Sequence, residues 1–440
     1  MKPWEYGPLE VSENGKYLRN GEKPFFWLGD TAWLMFSHLN EEEAGIYLRN
    51  RKEKGYNVIQ ITLIHEWPQK NRDGARALRG DDFADPDREG GYWQRVEVMV
   101  EMAERLGLYV ALLPAWGGHV KEGRLKLQNA ESYLSFLVER FGEQKNVIWL
   151  VGGDVKGEAA FDVFCYIGAY LKEHTRDQLV GFHPFGRTSS SRWFQDEQWL
   201  DFHMFQSGHR RYDQRVLNAW DDNGNNPDNF GEDNWRYVER DLKIKPVRPV
   251  IDGEPSYEQV LQGLHDETQP YWQSWDTRRY AYWSVFAGAF GHTFGDNAVM
   301  QFFDRERDKK GAFGVRQDWR EALHNTGGAC MCHLRTLMES VDFTNGRDRN
   351  ELVTEGQGEQ YGHISVFAGD DYVLAYDYDC HEFTLDLSGY GREFEAFWMD
   401  PVTGVSSYFG MVSPGRCRFR PAGRQEGHSD WVLVLRSISR

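Results

Sequence analysis

From about residue 25 to residue 295 the chain alternates short apolar runs with longer amphipathic stretches, and no other feature restricts its fold as much. The apolar runs are Phe25–Leu28, Val58–Ile64, Tyr109–Leu113, Val147–Val151, Leu179–Phe182, Asp201–Phe205, Pro249–Ile251 and Ala289–Phe294. Strands that alternate with helices predict a parallel sheet, and eight of them predict a (β/α)₈ TIM barrel. The intervening helices carry start and stop signals. Asn40 and Glu43 form a capping-box pattern for a helix reaching Lys54, with Gly55 as its stop. A second helix is expected over Tyr92–Leu106, ended by Gly107, and a third opening at Asn129.

After Met331–Met338 the period changes from helical to two, in segments such as HISVFAG, DYVLAYDY, EFTLDLSG, EFEAFWMD and DWVLVLRS. Short strands about ten residues apart, joined by Gly, Asp and Asn, predict an antiparallel β-sandwich. The expected division is therefore a catalytic barrel over 1–340 and a C-terminal sandwich over 341–440. No repeat or low-complexity linker separates them, so the two are expected to pack directly, the sandwich buttressing the barrel. No exposed aromatic platform calls for a role in binding glycans or collagen-like chains.

Charge and cysteine content exclude several functions. With 51 Lys+Arg against 68 Asp+Glu the net charge is −17, which argues against nucleic acid or an anionic membrane as partner. No apolar run approaches the ~20 residues of a membrane span. The N-terminus lacks a basic segment followed by an apolar one, so the expected location is cytoplasmic, or exported if a leader has been removed. Five scattered cysteines (Cys165, Cys330, Cys332, Cys380, Cys417) read as reduced thiols rather than a disulfide framework. Nothing in the sequence signals an oligomeric state.

Two acids lie a hundred positions apart in similar settings: Asp154 ends VIWLVGGD and Glu254 ends RPVIDGE. They fall at the C-terminal ends of the fourth and seventh expected strands, where barrel enzymes carry their chemistry. A facing carboxylate pair is what glycosidic bond cleavage requires, one group to protonate the leaving oxygen and one to act on the opposite face of the sugar. Gly152 and Gly153 are expected to let substrate approach Asp154 closely, and Pro255 to turn the chain away after Glu254.

Several segments together, FFWLGDTAW, Ile64-His65-Glu66-Trp67, VGGD, FQSGH, DGEPSYE and AYWSVFAGAFGHTFGDNAV, resemble the apiosidase-like glycoside hydrolases, and FWMDPVTG resembles the small β-domain that follows their barrel. The resemblance covers nearly the whole chain. It implies a retaining glycosidase with Asp154 as acid/base and Glu254 as nucleophile. In characterised members the activity is hydrolysis of an apiosyl linkage in the pectin rhamnogalacturonan II. A carbohydrate substrate is then the expected partner, with no metal or organic cofactor. The alternative is a barrel that binds carbohydrate without catalysis.

The other strand ends supply candidate substrate contacts. Asp30 is expected either to bond a sugar hydroxyl or to form a cap or salt bridge. Glu66, a rival carboxylate, either orients a hydroxyl or pairs with a cation; His65 stands beside it. Trp116 either stacks on a sugar or packs in the core. His183, Gln206 and His209 add hydrogen-bonding groups, with Gln206 and His209 preferred as substrate-side. Tyr257 either steadies Glu254 or packs in its loop, and Asp252 is expected to influence the charge of Glu254. Asn297, with Phe294 and Asp296, closes the ring after the eighth strand.

Some patterns are weaker. Asp221, Asn223, Asn225 and Glu232 occupy EF-hand-like positions, but Asn226 and Pro227 replace the turn glycine and its follower. Cys330, Cys332 and His333 lack a second pair for zinc. A metal-dependent hydrolase would need a His cluster on strand 1, where Gly29-Asp30-Thr31 stands instead.

Overall fold

The computed structural model of the protein describes residues 1–438 apart from 215–216, 218–220, 222, 224–225 and 425–428. Among these, eight parallel strands form the barrel: β1 (Trp27–Thr31), β2 (Val58–Thr62), β3 (Tyr109–Leu113), β4 (Val147–Val155), β5 (Val180–Pro184), β6 (His203–Gln206), β7 (Val250–Asp252) and β8 (Gly291–Phe294). Their hydrogen-bonded order is β5-β4-β3-β2-β1-β8-β7-β6. Between β6 and β5 the ladder is interrupted by Thr188–Ser189, which runs antiparallel to β6. Asp201 bridges that seam. Its N–H donates to the Val180 carbonyl at 2.9 Å, and its carboxylate accepts from the Val180 N–H at 2.7 Å.

Sequence and structure differ at the first strand. The apolar run Phe25–Leu28 straddles two elements, because Lys23–Phe25 belongs to an antiparallel sheet with Leu9–Val11 and Leu18–Asn20, and β1 begins only at Trp27. That sheet plugs the bottom of the barrel. Trp4 and Phe25 stand edge-on to Tyr109 at the start of β3, with ring centroids 5.1 and 5.4 Å away.

The expected helices form: α1 (Glu41–Glu53), α2 (Gly91–Leu106) and α3 (Leu127–Phe141). Asn40 caps α1 by accepting from the Glu43 N–H at 2.9 Å, while Glu43 returns the bond to the Asn40 N–H at 3.0 Å. Gly107 ends α2 in the left-handed region at φ 71°. Asn129 lies two residues inside α3, as its third residue, where its side chain accepts from the Lys126 N–H at 2.9 Å.

The C-terminal part contains β9 (Arg347–Asp348), β10 (Val353–Glu355), β11 (Ile364–Ala368), β12 (Tyr372–Asp377), β13 (Phe383–Asp386), β14 (Phe394–Met399), β15 (Ser406–Val412), β16 (Arg416–Phe419) and β17 (Trp431–Ser437). They make two antiparallel sheets, ordered β9-β11-β12-β17-β14-β15 and β10-β13-β16. Alternation places Val373, Ala375, Leu433 and Leu435 in the core between the sheets. It places Leu374, Tyr376, Val432 and Val434 on the opposite face. That second face covers α4 (Ser274–Phe286) and α5 (Thr326–Glu339) of the barrel, so the larger sheet is buried on both sides. The edge strand β15 was not foreseen; it exposes Tyr408 and Phe409.

An ion pair crosses the interface: Arg278 on α4 donates through Nε and Nη2 to the two oxygens of Asp430, each at 2.8 Å, with both groups buried. Such pairs contribute little net stability compared with apolar packing, but removing one partner strands the other. Arg278→Met should destabilise the protein by about 3–5 kcal/mol. Denaturant unfolding checks this, and the double variant Arg278→Met/Asp430→Asn should recover part of the loss.

Candidate active site

β4 runs regularly to Gly152, where pairing with β5 slips before resuming at Val155. Gly152 and Gly153 adopt φ 92° and 109°, and Asp154 itself φ 50°. A Cβ on Gly152 would lie 2.5 Å from the His183 carbonyl, and one on Gly153 2.8 Å from the Trp116 ring. The two glycines are therefore required by backbone conformation and packing. The resulting bulge turns Asp154 into a cavity of about 270 Å³ at the C-terminal end of the barrel.

Glu254 follows β7 by two residues and lines the same cavity. Its carbonyl accepts from the Ser207 and Gly208 N–H groups, each at 3.1 Å, which ties the loops after β6 and β7 together. Two imidazoles hold its carboxylate. His209 Nε2 lies 3.0 Å from Oε1, and His183 Nε2 faces Oε2 at 3.2 Å, off the line of an ideal hydrogen bond. The Asp154 N–H donates to His183 Nδ1 at 3.5 Å, so the His183 proton belongs on Nε2, toward Glu254. His209 is itself built into place. Its N–H donates to Ser256 Oγ at 2.8 Å, and Tyr257 stands edge-on to its ring at 4.8 Å.

These surroundings drive the two carboxyls apart. Burial raises the Glu254 pKa, but the bonds and charges of His183 and His209 outweigh it and bring the group to about 2. Asp154 is open to the cavity yet deep in the molecule; burial first, then the facing charge of Glu254, push it up to about 6 against the pull of His183, Gln206 and His209. One group is thus held ionised and the other can keep a proton near neutrality, the separation that acid and nucleophile roles require.

Of the remaining expected residues, His65, Trp116, Gln206, His209 and Tyr257 line this cavity, and His183 supports it from beneath. Trp116 packs against His65 at 4.6 Å, and burial keeps His65 neutral by lowering its pKa to about 4. The Tyr257 hydroxyl is buried next to Thr31 and Glu254, and its pKa is raised, by burial and then by the Glu254 charge.

Four of these residues lie outside the cavity, and for Asp30 and Glu66 it is the ion-pair alternative that holds. Asp30 points out of the barrel and is locked to Arg51 Nε and the Tyr47 hydroxyl, each at 2.6 Å, so it cannot reach a sugar. Glu66 sits outside the cavity, 3.7 Å from His38. Asn297 is spent on backbone: its amide donates to the Gln259 and Phe313 carbonyls at 2.9 Å each, clamping the Phe313 loop. Asp252, buried and raised to about 7, accepts from Ser207 Oγ at 2.5 Å and Asn234 Nδ2 at 3.0 Å, and does not enter the cavity.

Trp33, Phe185, Arg210 and Phe313 line the cavity without having been singled out. Trp33 stands edge-on to both Trp116 (5.3 Å) and His183 (5.2 Å). It lay within FFWLGDTAW, six residues after Trp27, and could have been considered; Phe313 comes from a distant loop with no local signal.

The weaker motifs resolve as structural groups. Asp221 pairs with Arg210 at 2.7 Å and Glu232 with Arg279 at 2.5 Å, while Asn225 lies outside the described residues. Among the described residues no group of three His, Cys, Asp or Glu is placed to hold a metal, and the five thiols are unpaired with one another.

Residues 12–345 match the family model described as "Apiosidase-like, catalytic domain". The chain belongs to the apiosidase-like family. Residues 348–436 of this apiosidase-like chain match a "putative collagen-binding domain of a collagenase". A solved structure named simply a glycoside hydrolase is 38% identical over 100% of this chain and 99% of its own, with a TM-score of 0.94. A crystal structure of a glycoside hydrolase family 5 protein from Bacteroides vulgatus is also 38% identical, over 99% and 95% of the two chains, again with a TM-score of 0.94. A family 5 mannosidase from Rhizomucor miehei, 12% identical over 77% of this chain and all of its own, shares the fold alone (TM-score 0.54). No curated protein gives a significant match. The apiosidase-like chain is thereby a glycoside hydrolase.

Proposed function

We propose that the protein cleaves a glycosidic bond by double displacement. Glu254 attacks the anomeric carbon as Asp154 donates its proton to the departing oxygen. A water then enters, Asp154 takes its proton, and the glycosyl–Glu254 ester is broken with net retention. The observation that carries this reading is Glu254 held ionised between His183 and His209, in one cavity with an Asp154 carboxyl raised to about 6. The aromatic wall of Trp33 and Trp116 suits the apolar face of a sugar ring. The cavity is near the small end of ligand sites (~300–1,000 Å³), which suits removal of a terminal sugar. Family membership favours a plant cell-wall glycan and an apiosyl unit.

Arg210 refines the substrate. It is buried, lines the cavity, and offers Nη2 to Asp221 at 2.7 Å, while its Nε and Nη1 have no hydrogen-bond partner among the described residues. Arg187 is buried beside it; burial first, and then that second cation, lower the Arg210 pKa to about 10. Among the described residues Asp221 is the carboxylate that pairs with Arg210, and Asp154 adds a second negative charge farther off, so an acidic group on the bound glycan would suit the two guanidiniums.

The test is a panel of aryl glycosides, apiosides and furanosides included, beside cell-wall oligosaccharides with and without uronate, with product anomers followed by NMR. Inverted product would remove the double displacement, and hydrolysis of none would remove the activity. Arg210→Lys keeps the charge but loses the fork. It should lower kcat/KM on a uronate-bearing substrate about 10–100-fold while changing a neutral aryl glycoside about threefold or less.

A further inference from the structure

The sandwich contacts the buried Glu232 carboxylate through a phenol. Tyr361 lies in the segment that leads into β11, and its hydroxyl donates to Glu232 Oε1 at 2.8 Å. Glu232 is wholly buried at the barrel mouth. The same Oε1 accepts the Tyr212 N–H at 3.0 Å, and Oε2 accepts from Arg279 Nη2 at 2.5 Å. The Tyr361 ring packs edge-on against Tyr212 at 5.3 Å and lies 4.8 Å from the Arg279 guanidinium. Tyr212 is three residues beyond His209, the ring that holds Glu254 Oε1.

Two residues along from Glu232, Asn234 carries a second line of contacts. Its amide donates to Asp252 Oδ2 at 3.0 Å and to the Tyr280 carbonyl at 2.7 Å. Asp252 ends β7, two residues before Glu254. The segment Glu232–Asn234 therefore grips both halves of the Glu254–His209 contact, one through the Tyr212 backbone and the other through Asp252. Its outer carboxylate oxygen is shared between the barrel loop and the sandwich. The contact is directional, because a single Oε1 must accept from the Tyr361 hydroxyl and the Tyr212 N–H together. Without the phenol proton, Glu232 is left with Arg279 as its only side-chain donor among the described residues, and the pull on the carboxylate becomes one-sided.

We infer that Tyr361 is a positioning residue: the C-terminal domain sets the loop that carries His209, and through it the hydrogen bond to Glu254. This rests on the proposed roles of Glu254 and His209. The domain is thereby part of the catalytic apparatus as well as a buttress.

Tyr361→Phe removes the hydroxyl and keeps the ring on Tyr212 and Arg279. In the full-length protein, hydrogen exchange measured by mass spectrometry should speed up in peptides spanning 205–214 and stay unchanged in α2 and α3. Turnover should fall about fivefold, with KM changed less than twofold. A loosened His209 contact stabilises the Glu254 carboxylate less, so the acid limb of kcat/KM should move to higher pH. Unchanged exchange over 205–214, or a lower melting temperature with kcat and acid limb as in the parent, would overturn the inference. The exchange measurement needs no substrate, so it stands even if no glycoside is hydrolysed and the proposed activity fails.

Discussion

Glu254→Gln should lower turnover by about a thousandfold or more while the folded structure persists. The carboxylate is held ionised by two imidazoles, and an amide cannot attack the anomeric carbon. The amide also reverses the hydrogen-bond logic of the site. One end of it must present an N–H to a histidine that now donates, His209 at 3.0 Å or His183 at 3.2 Å. Circular dichroism and the melting temperature should remain near those of the parent, because the carboxylate is held by side chains at the cavity rather than by the barrel backbone. Loss of the covalent intermediate, followed by mass spectrometry with a slow fluorinated glycoside, distinguishes a missing nucleophile from a missing binding group. Near-normal turnover in Glu254→Gln would end the assignment.

Asp154→Asn should cost about 10²–10⁴-fold on a natural glycoside, the usual contribution of general acid catalysis. The loss should shrink on aryl glycosides with acidic phenols, which depart without protonation. For those substrates the second half-reaction becomes limiting, and in Asp154→Ala azide, small enough for the vacated space, should restore rate and yield a glycosyl azide of retained configuration. The pH profile gives a separate check. Asp154 must carry its proton to act as acid, so kcat/KM should fall as pH rises through about 6, the value set by burial and the Glu254 charge. The acid limb belongs to Glu254, lowered to about 2. In Asp154→Asn the fall above about 6 should disappear. A basic limb that survives in this variant would assign the proton to another group.

Much of this was legible in the chain because it is local. Apolar period, capping pairs such as Asn40–Glu43, and punctuating glycines such as Gly107 depend on residues within a few positions of one another. The ends of β4 and β7 were readable for that reason, and so were Asp154 and Glu254. The glycines before Asp154 stand out in the sequence, but their contacts with His183 and Trp116 involve neighbours 30 to 40 positions away and were not legible there.

What the sequence by itself determined is the order of strands and helices, the change to a period-two domain near residue 340, and the placing of two acids at strand ends. Only the tertiary structure decided which polar residues face the cavity. Side chains alternate across a strand, so a shift of one residue turns a side chain from lumen to helix layer. Asp30 and Thr31 illustrate this: Thr31 neighbours Tyr257, while Asp30 turns outward to Tyr47 and Arg51. Closure of the barrel likewise brought His183, His209 and Glu254 together from β5, β6 and β7, and packing of the sandwich brought Tyr361 to Glu232. Those contacts span 45 to 129 positions in sequence, from His209–Glu254 to Glu232–Tyr361, and no local period encodes them.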